Sequence, residues 1–454
     1  MEIRPLPGEL IDYATSEIAR LQVPGAAVGV LHNGVIYAGG VGVTSVDNPL
    51  PVTAETLFQI GSTSKTFTAT ALMQLVEDGL VDLDATVRTY LPEFTLQSAE
   101  DGERVTVRNL VTHHAGYVGD YFKDTGRGDD AIKTIVGKMR NSPQLVPAGY
   151  TFSYSNAAFY VLGHIIETVR GGVFEHIIRE RIFELLEMDR SFYFPEEVMT
   201  HRFAAGHIVT TEGPKVARPW NTSRSIAPGG GVTSNVIDQM RYAALHIEAT
   251  AAPNVLKPET IRYMQEVQKP AGSMCESIGI SWMLDSDAGG GHKGVKHGGA
   301  TNGHLSSFEM MPSAGFAVTV LTNADAGRET RQTIADRCQE HFVGAGKPAP
   351  VAATGLSVDT NEYAGTYQSV LARLEVRADG DGLVATDMTP ERSLSERRHK
   401  PIPLPPARLL FTGPDATAVL DGPRRGERAE FLRGADGKVE WMRWDGRIAR
   451  RVEG

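Results

Sequence analysis

Hydrophobic positions along this chain change period several times, and each change marks a structural boundary. In residues 25–46, small and apolar residues alternate in two runs, 27–31 and 35–39, on either side of His32-Asn33-Gly34. A period of two around a turn tripeptide predicts a β-hairpin. A shorter strand-like run covers residues 57–61. From residue 66 to about residue 246 the spacing becomes helical, most clearly in 68–78, 107–112, 157–169 and 174–186. Strand character returns at 278–282, 305–311 and 316–321, and a last helix is predicted over 328–342. Strands, then helices, then strands predict an α+β fold: one antiparallel sheet drawn from both ends of the segment, flanked by helices, with a helical region inserted.

After Phe342 the composition shifts to Gly344-Ala345-Gly346-Lys347-Pro348-Ala349-Pro350, which reads as a linker. Beyond it lie short strand-like runs such as Leu374-Glu375-Val376-Arg377 and Lys438-Val439-Glu440-Trp441. Turn signals at Asp379-Gly380-Asp381-Gly382, Asp436-Gly437 and Asp445-Gly446 complete the pattern of a small all-β sandwich or barrel. The expected division is a first domain over 1–345, a linker over 346–357 and a β domain over 358–454. The length of 454 residues agrees, since domains run to about 100–200 residues.

Charge and cysteine usage narrow the partners. A net charge of −10 weighs against a general nucleic-acid or anionic-membrane binder, and the arginines of the tail read as a solvated strand face. Cys275 and Cys338 are the two cysteines, so there is neither a disulfide framework nor zinc-ligand spacing, and a reducing compartment fits. The start Met1-Glu2-Ile3-Arg4-Pro5-Leu6-Pro7 has no basic segment followed by an apolar core and cleavage site. No apolar run is long enough to cross a bilayer. The expectation is a cytoplasmic protein with no metal and no cofactor; nothing here sets an oligomeric state.

Three segments carry candidate chemistry. In Ser62-Thr63-Ser64-Lys65, at the start of a helical run, residues three apart share a helix face. The Lys65 amine can therefore reach the Ser62 hydroxyl and activate it as a nucleophile, whereas Thr63 and Ser64 lack that offset. In Ser153-Tyr154-Ser155-Asn156, before the helix over 157–169, a neighbouring ammonium can lower the Tyr154 phenol toward a general base. The same letters also suit a half-buried tyrosine beside a helix capped by Asn156. In His297-Gly298-Gly299-Ala300, the glycines let a ligand approach the backbone, and a strand edge there can pair with an extended substrate. Structural glycines beside a surface histidine explain those letters equally. His113-His114 is not read as a metal site, and Gly229-Gly230-Gly231 lacks the context of a phosphate loop.

In this order and at these distances, the three segments resemble the active-site signature of the serine β-lactamase and penicillin-binding protein superfamily. The likeness is to its class C-like branch, with D-aminopeptidases, D-Ala-D-Ala carboxypeptidases, family VIII esterases and penicillin-binding-protein-type thioesterases. There the second element is Tyr-x-Asn, as in Tyr154-Ser155-Asn156, and the third is Lys-Thr-Gly or His-x-Gly, as in His297-Gly298-Gly299. Residues 79–84, 107–116 and 228–234 look like the same family, and the tail resembles the lipocalin-like β domain appended to some members.

The resemblance implies Ser62 as acylated nucleophile, Lys65 as its proton-transfer partner and Tyr154 as sharer of the base role. It further implies Asn156, Gly298 and Gly299 as substrate contacts, and His297 as tuner of the Tyr154 proton or contact to a substrate carboxylate. The amides of Ser62 and Ala300 would form the oxyanion hole. The implied function is a serine hydrolase cleaving a small ester, amide or D-amino-acid peptide. An acyltransferase or peptide cyclase shares this chemistry, and a non-catalytic sensor on the same fold is the reading of another class. Histidine in place of lysine at position 297, with no visible export signal, points away from β-lactams.

Overall fold

The computed structural model describes residues 1–220, 222–247, 252–389, 402–422 and 424–452. Among these, the main sheet has nine strands: β1 (Glu2–Pro5), β2 (Gly25–His32), β3 (Val35–Gly42), β4 (Lys269–Pro270), β5 (Ser277–Ile278), β6 (Met283–Asp285), β7 (Gly294–Thr301), β8 (His304–Met311) and β9 (Phe316–Thr322). Their order across the sheet is β1-β3-β2-β9-β8-β7-β6-β5-β4. Every pairing is antiparallel except β1 on β3. The predicted hairpin is β2–β3, and it joins the C-terminal strands through β2 on β9, so the sheet does draw on both ends of its segment.

Two expectations need correction in detail. The apolar run 278–282 is not one strand. Gly279 N–H donates to the Trp282 carbonyl and Ser281 sits at φ 65°, so the chain turns there and drops the Trp282 ring into the core beside Tyr242 and Phe308. The helical run 174–186 is α-helical only over Phe174–Ile178. It widens to a π turn over Arg179–Phe183, which keeps Ile182 and Phe183 buried with Ile178. Strand β1 and the helix α1 (Gly8–Arg20) were not foreseen. β1 is only four residues long and exposed throughout, while α1 lays Leu10, Ala14 and Ile18 on the sheet.

The centre of the molecule is helix α2 (Ser64–Glu77), buried at every position from Ser64 to Leu75. Such a helix needs apolar residues all round, or polar ones with partners. Phe67, Ala69, Ala71, Leu72, Met73 and Leu75 meet the first condition, each larger side chain contributing about 1.5–3 kcal/mol by burial. Thr66, Thr68 and Thr70 meet the second, bonding the Thr63 carbonyl at 2.9 Å, the Pro228 carbonyl at 2.7 Å and the Tyr242 hydroxyl at 2.9 Å. Helix α3 (Asn156–Arg170) packs on α2, and α4 (Val236–Ile247) and α5 (Gly327–Val343) cover opposite faces of the sheet.

The tail is a closed barrel of eight described strands: β10 (Gly365–Gln368), β11 (Arg373–Asp379), β12 (Gly382–Asp387), β13 (Ala407–Gly413), β14 (Ala416–Ala418), β15 (Arg428–Arg433), β16 (Val439–Trp444) and β17 (Arg447–Val452). Tyr363, Tyr367, Leu409, Phe431 and Met442 fill it. Its β16–β17 hairpin lies against residues 145–154 of the main domain. Trp441 and Ile448 pack on Val146, and Arg443 donates to the Thr151 hydroxyl and the Phe152 carbonyl, both at 2.9 Å.

Candidate active site

Ser62 does not lie in the α-helix itself but in a 3₁₀ turn, Gly61–Thr63, that leads into α2. Gly61 occupies φ 53°, a left-handed conformation suited to glycine, and a side chain there would meet the Ala300 backbone nitrogen at 2.6 Å. Facing it, a side chain on Gly299 would lie 2.7 Å from the Ser62 nitrogen. Two glycines thus let the serine turn and strand β7 touch backbone to backbone, which brings the amides of Ser62 and Ala300 together. Strand β6 pairs with β7 only from Gly294 to Lys296, so from His297 to Thr301 that edge of β7 has no strand partner among the described residues.

Lys65 is completely buried. Its Nζ lies 3.1 Å from Ser62 Oγ, 2.7 Å from Asn156 Oδ1 and 2.5 Å from the Gly229 carbonyl oxygen. Burial drives the amine well below the usual lysine range; the charge of Arg447 adds to that shift and Asp120 opposes it. Ser62 itself is half-buried and lies beside the Tyr154 phenol, whose titration it influences. The other hydroxyls of the tetrad are engaged elsewhere: Ser64 Oγ accepts from Val232 N–H at 3.0 Å, and Thr63 Oγ1 bonds Ser306 Oγ at 3.0 Å.

The structure reverses one electrostatic expectation. Burial pushes the Tyr154 phenol above its ordinary value, against the pull of the Ser62 hydroxyl and the Arg447 charge. Burial thus acts on the two groups in opposite senses, favouring the neutral amine of Lys65 and the neutral phenol of Tyr154.

Helix α3 is capped by Ser155, whose Oγ accepts from Ala158 N–H at 3.0 Å, rather than by Asn156. Asn156 is thereby free to turn into the site, where its Nδ2 donates to Asp120 Oδ1 at 2.8 Å and its Oδ1 accepts from Lys65. His297, on β7, is buried; its Nδ1 bonds the Gly298 carbonyl at 2.8 Å, while Nε2 finds no partner among the described residues. A carbonyl only accepts, so the ring proton is on Nδ1 and Nε2 presents a lone pair. Burial, aided by the Lys65 charge, lowers this imidazole to about 3.

All the residues expected in the site therefore come together around Ser62. Three others, not foreseen, join them. His113 stacks on the Tyr154 ring at 4.3 Å, and its Nδ1 accepts from Ser155 N–H at 3.0 Å. It sits at φ 59°, a strained conformation for a non-glycine that brings the ring behind Tyr154. Asp120 holds Asn156 as described. Arg447, from the barrel, pairs with Asp120 and lies 4.9 Å from the centre of the Tyr154 ring. His113 was visible in the sequence as half of a histidine pair; no signal marked Asp120 or Arg447.

A helix-flanked antiparallel sheet with a half-buried serine hydroxyl on a buried amine defines a serine hydrolase by class. The comparisons with known proteins are more specific. The Beta-lactamase family matches residues 10–340, and the chain belongs to that family. It is 33% identical over 368 residues to Penicillin-binding protein 4 of Amycolatopsis lactamdurans, covering 76% of this chain and 93% of that one. Among solved structures, SurE superimposes with a TM-score of 0.77 at 24% identity over 98% of both chains. The octameric penicillin-binding protein homologue from Pyrococcus abyssi gives 0.65 at 26% identity, over 97% of this chain and 99% of that one. Among the described residues, no helix is long and apolar enough to cross a membrane.

Proposed function

We propose that this chain forms an acyl-enzyme on Ser62 and cleaves a small ester, amide or peptide, including peptides and amides of D-amino acids. The observation that carries this reading is the fully buried Lys65 Nζ lying 3.1 Å from Ser62 Oγ and anchored by Asn156 and Gly229. Asn156 Oδ1 and the Gly229 carbonyl can only accept. A neutral amine gives them its two N–H bonds, and its lone pair is left for the hydroxyl proton of Ser62. Lys65 is then a base without needing to lose a proton first.

The steps follow from that arrangement. Ser62 Oγ attacks the carbonyl carbon while its proton passes to Lys65. The oxyanion is met by the amides of Ser62 and Ala300, each donor contributing about 3–4 kcal/mol to lowering the barrier. On collapse the leaving group takes the phenol proton of Tyr154, and the ammonium of Lys65 restores it, so both groups end neutral. Water then enters by the same route to release the acyl group. An extended substrate pairs along the open edge of β7 at Gly298 and Gly299, with Asn156 beside its amide. His297, neutral and presenting an acceptor at Nε2, suits a role in holding the Tyr154 proton better than a contact to a substrate carboxylate.

The test is intact-mass detection of a covalent adduct on Ser62 across activated esters, D- and L-aminoacyl amides and penicillin, the last included because of the relative's name. Ser62→Ala is expected to abolish both the adduct and labelling by a fluorophosphonate. Labelling that persists in Ser62→Ala places the nucleophile elsewhere.

A further inference from the structure

Asp445-Gly446 forms the tip of the β16–β17 hairpin, with both residues at positive φ, 49° and 74°. That is the two-residue turn an Asp-Gly pair favours, and it sets Trp444 opposite Arg447 at the mouth of the hairpin. The tip is seated by Tyr154 N–H, which donates to the Gly446 carbonyl at 2.8 Å. Arg447 therefore enters the cleft on a rigid support, and its guanidinium forks onto Asp120, Nε to Oδ2 at 2.7 Å and Nη2 to Oδ1 at 3.3 Å.

We propose that Arg447 is a positioning residue for the Ser62 chemistry: through Asp120 it fixes which way the Asn156 amide faces, and so holds the Lys65 amine on Ser62. The inference rests on the reading of Ser62 and Lys65 given above. Asp120 is an acceptor, so only the nitrogen of Asn156 can face it, and the amide oxygen must then face Lys65. With Asp120 released, the Asn156 amide is free to turn. Turned over, it presents N–H groups to an amine that needs an acceptor, and the Lys65 lone pair leaves Ser62. The barrel is on this account a component of the catalytic site, since the fork that orders Asn156 comes from it.

The charged and titratable groups around Lys65 are Arg447 from the barrel, Asp120 and His113 from the connection between the helices, Tyr154 before α3 and His297 on β7. Asp445 lies 3.7 Å from Arg447 and is itself faced by Arg328 on α5 at 3.5 Å. Arg447 and Asp120 push the Lys65 titration in opposite directions. A loss of kcat in variants whose thermal melting stays close to wild type separates a positioning role from a merely structural ion pair.

The experiment measures the acylation rate with an activated ester across pH in Arg447→Gln, Asp120→Asn and Arg447→Lys, alongside thermal melting. Arg447→Gln and Asp120→Asn are expected to slow acylation about 10²-fold, the usual loss when a reacting group is misplaced, in kcat rather than KM. The ascending limb of the pH profile moves to higher pH in Arg447→Gln and to lower pH in Asp120→Asn. Arg447→Lys keeps the charge and loses the fork, so it slows acylation with its limb close to wild type. Should Arg447→Gln fail to fold, the rate and limb of Asp120→Asn and Arg447→Lys decide alone. Wild-type rates in the folded variants, or limbs that shift in the same direction, overturn the proposal. A wild-type Ser62 adduct accompanied by those results refutes only the clamp, whereas labelling that survives Ser62→Ala refutes the underlying reading.

Discussion

Replacing Lys65 with methionine tests the neutral-amine mechanism through stability and rate together. The side chain is 0% exposed, and its amine is held well below the usual lysine range by burial. In the unfolded chain the same group titrates near about 10.4. Between the folded value and about 10.4 the unfolded chain holds the extra proton, so stability rises with pH by up to about 1.4 kcal/mol per unit. Above about 10.4 both states are neutral, and below the folded value both are charged, so the slope vanishes at either end.

In Lys65→Met this contribution is gone. The difference in unfolding free energy, wild type minus variant, should therefore climb from pH 7 to pH 10, by up to about 4 kcal/mol if the whole interval lies within the window. Superimposed on it is a pH-independent cost to the variant, about 1–3 kcal/mol for each of the two acceptors, Asn156 Oδ1 and the Gly229 carbonyl, left without a donor. Acylation should fall about 10²–10⁴-fold, the usual range for a lost general base. Urea unfolding of both proteins at pH 7, 8, 9 and 10 reads the first effect, and stopped-flow acylation the second. A difference that stays flat with pH means that Lys65 carries its ordinary charge, and then it cannot be the base.

Gly299→Ala should disturb the oxyanion hole, because the added carbon collides with the Ile60 carbonyl oxygen, meets the Ser62 nitrogen at 2.7 Å and Ser306 Oγ at 2.8 Å, and must push β7 from the serine turn. A fall in kcat of about 10²–10³-fold, with KM little changed, is the expected signature, and steady-state kinetics reads it. Ser64→Ala should do the reverse: fluorophosphonate labelling persists, while the Val232 N–H loses its acceptor and unfolding by urea shows a loss of about 1–3 kcal/mol.

The parts of the site that were legible in sequence are those set by local geometry or by a recognisable motif. The offset between Ser62 and Lys65 needs only one helical turn, and although the serine falls in a 3₁₀ turn rather than in α2, the hydrogen bond survives. The strand pattern gave the hairpin, β8 and β9, but failed at 278–282. There the apolar residues serve a core loop, and an apolar run alone cannot distinguish that from a strand. The cap of α3 shows a finer limit. Ser155 and Asn156 are both good caps by chemistry, and what decides between them is tertiary: Asn156 has acceptors and donors waiting in the cleft, so Ser155 takes the helix end.

Asp120 and Arg447 could not be read at all, for they meet across 327 positions of sequence and only because one hairpin of the barrel lies on residues 145–154. The letters Asp445-Gly446 were legible as a turn, and a turn is what they make. Their functional weight comes from where docking puts the next residue, with the Gly446 carbonyl on the amide of Tyr154 and the Arg447 guanidinium on the carboxylate of Asp120. A turn signal in a tail that reads as a separate domain thus becomes part of the site. Its effect on Lys65 passes through Asp120 and Asn156, two residues that no spacing rule connects to it.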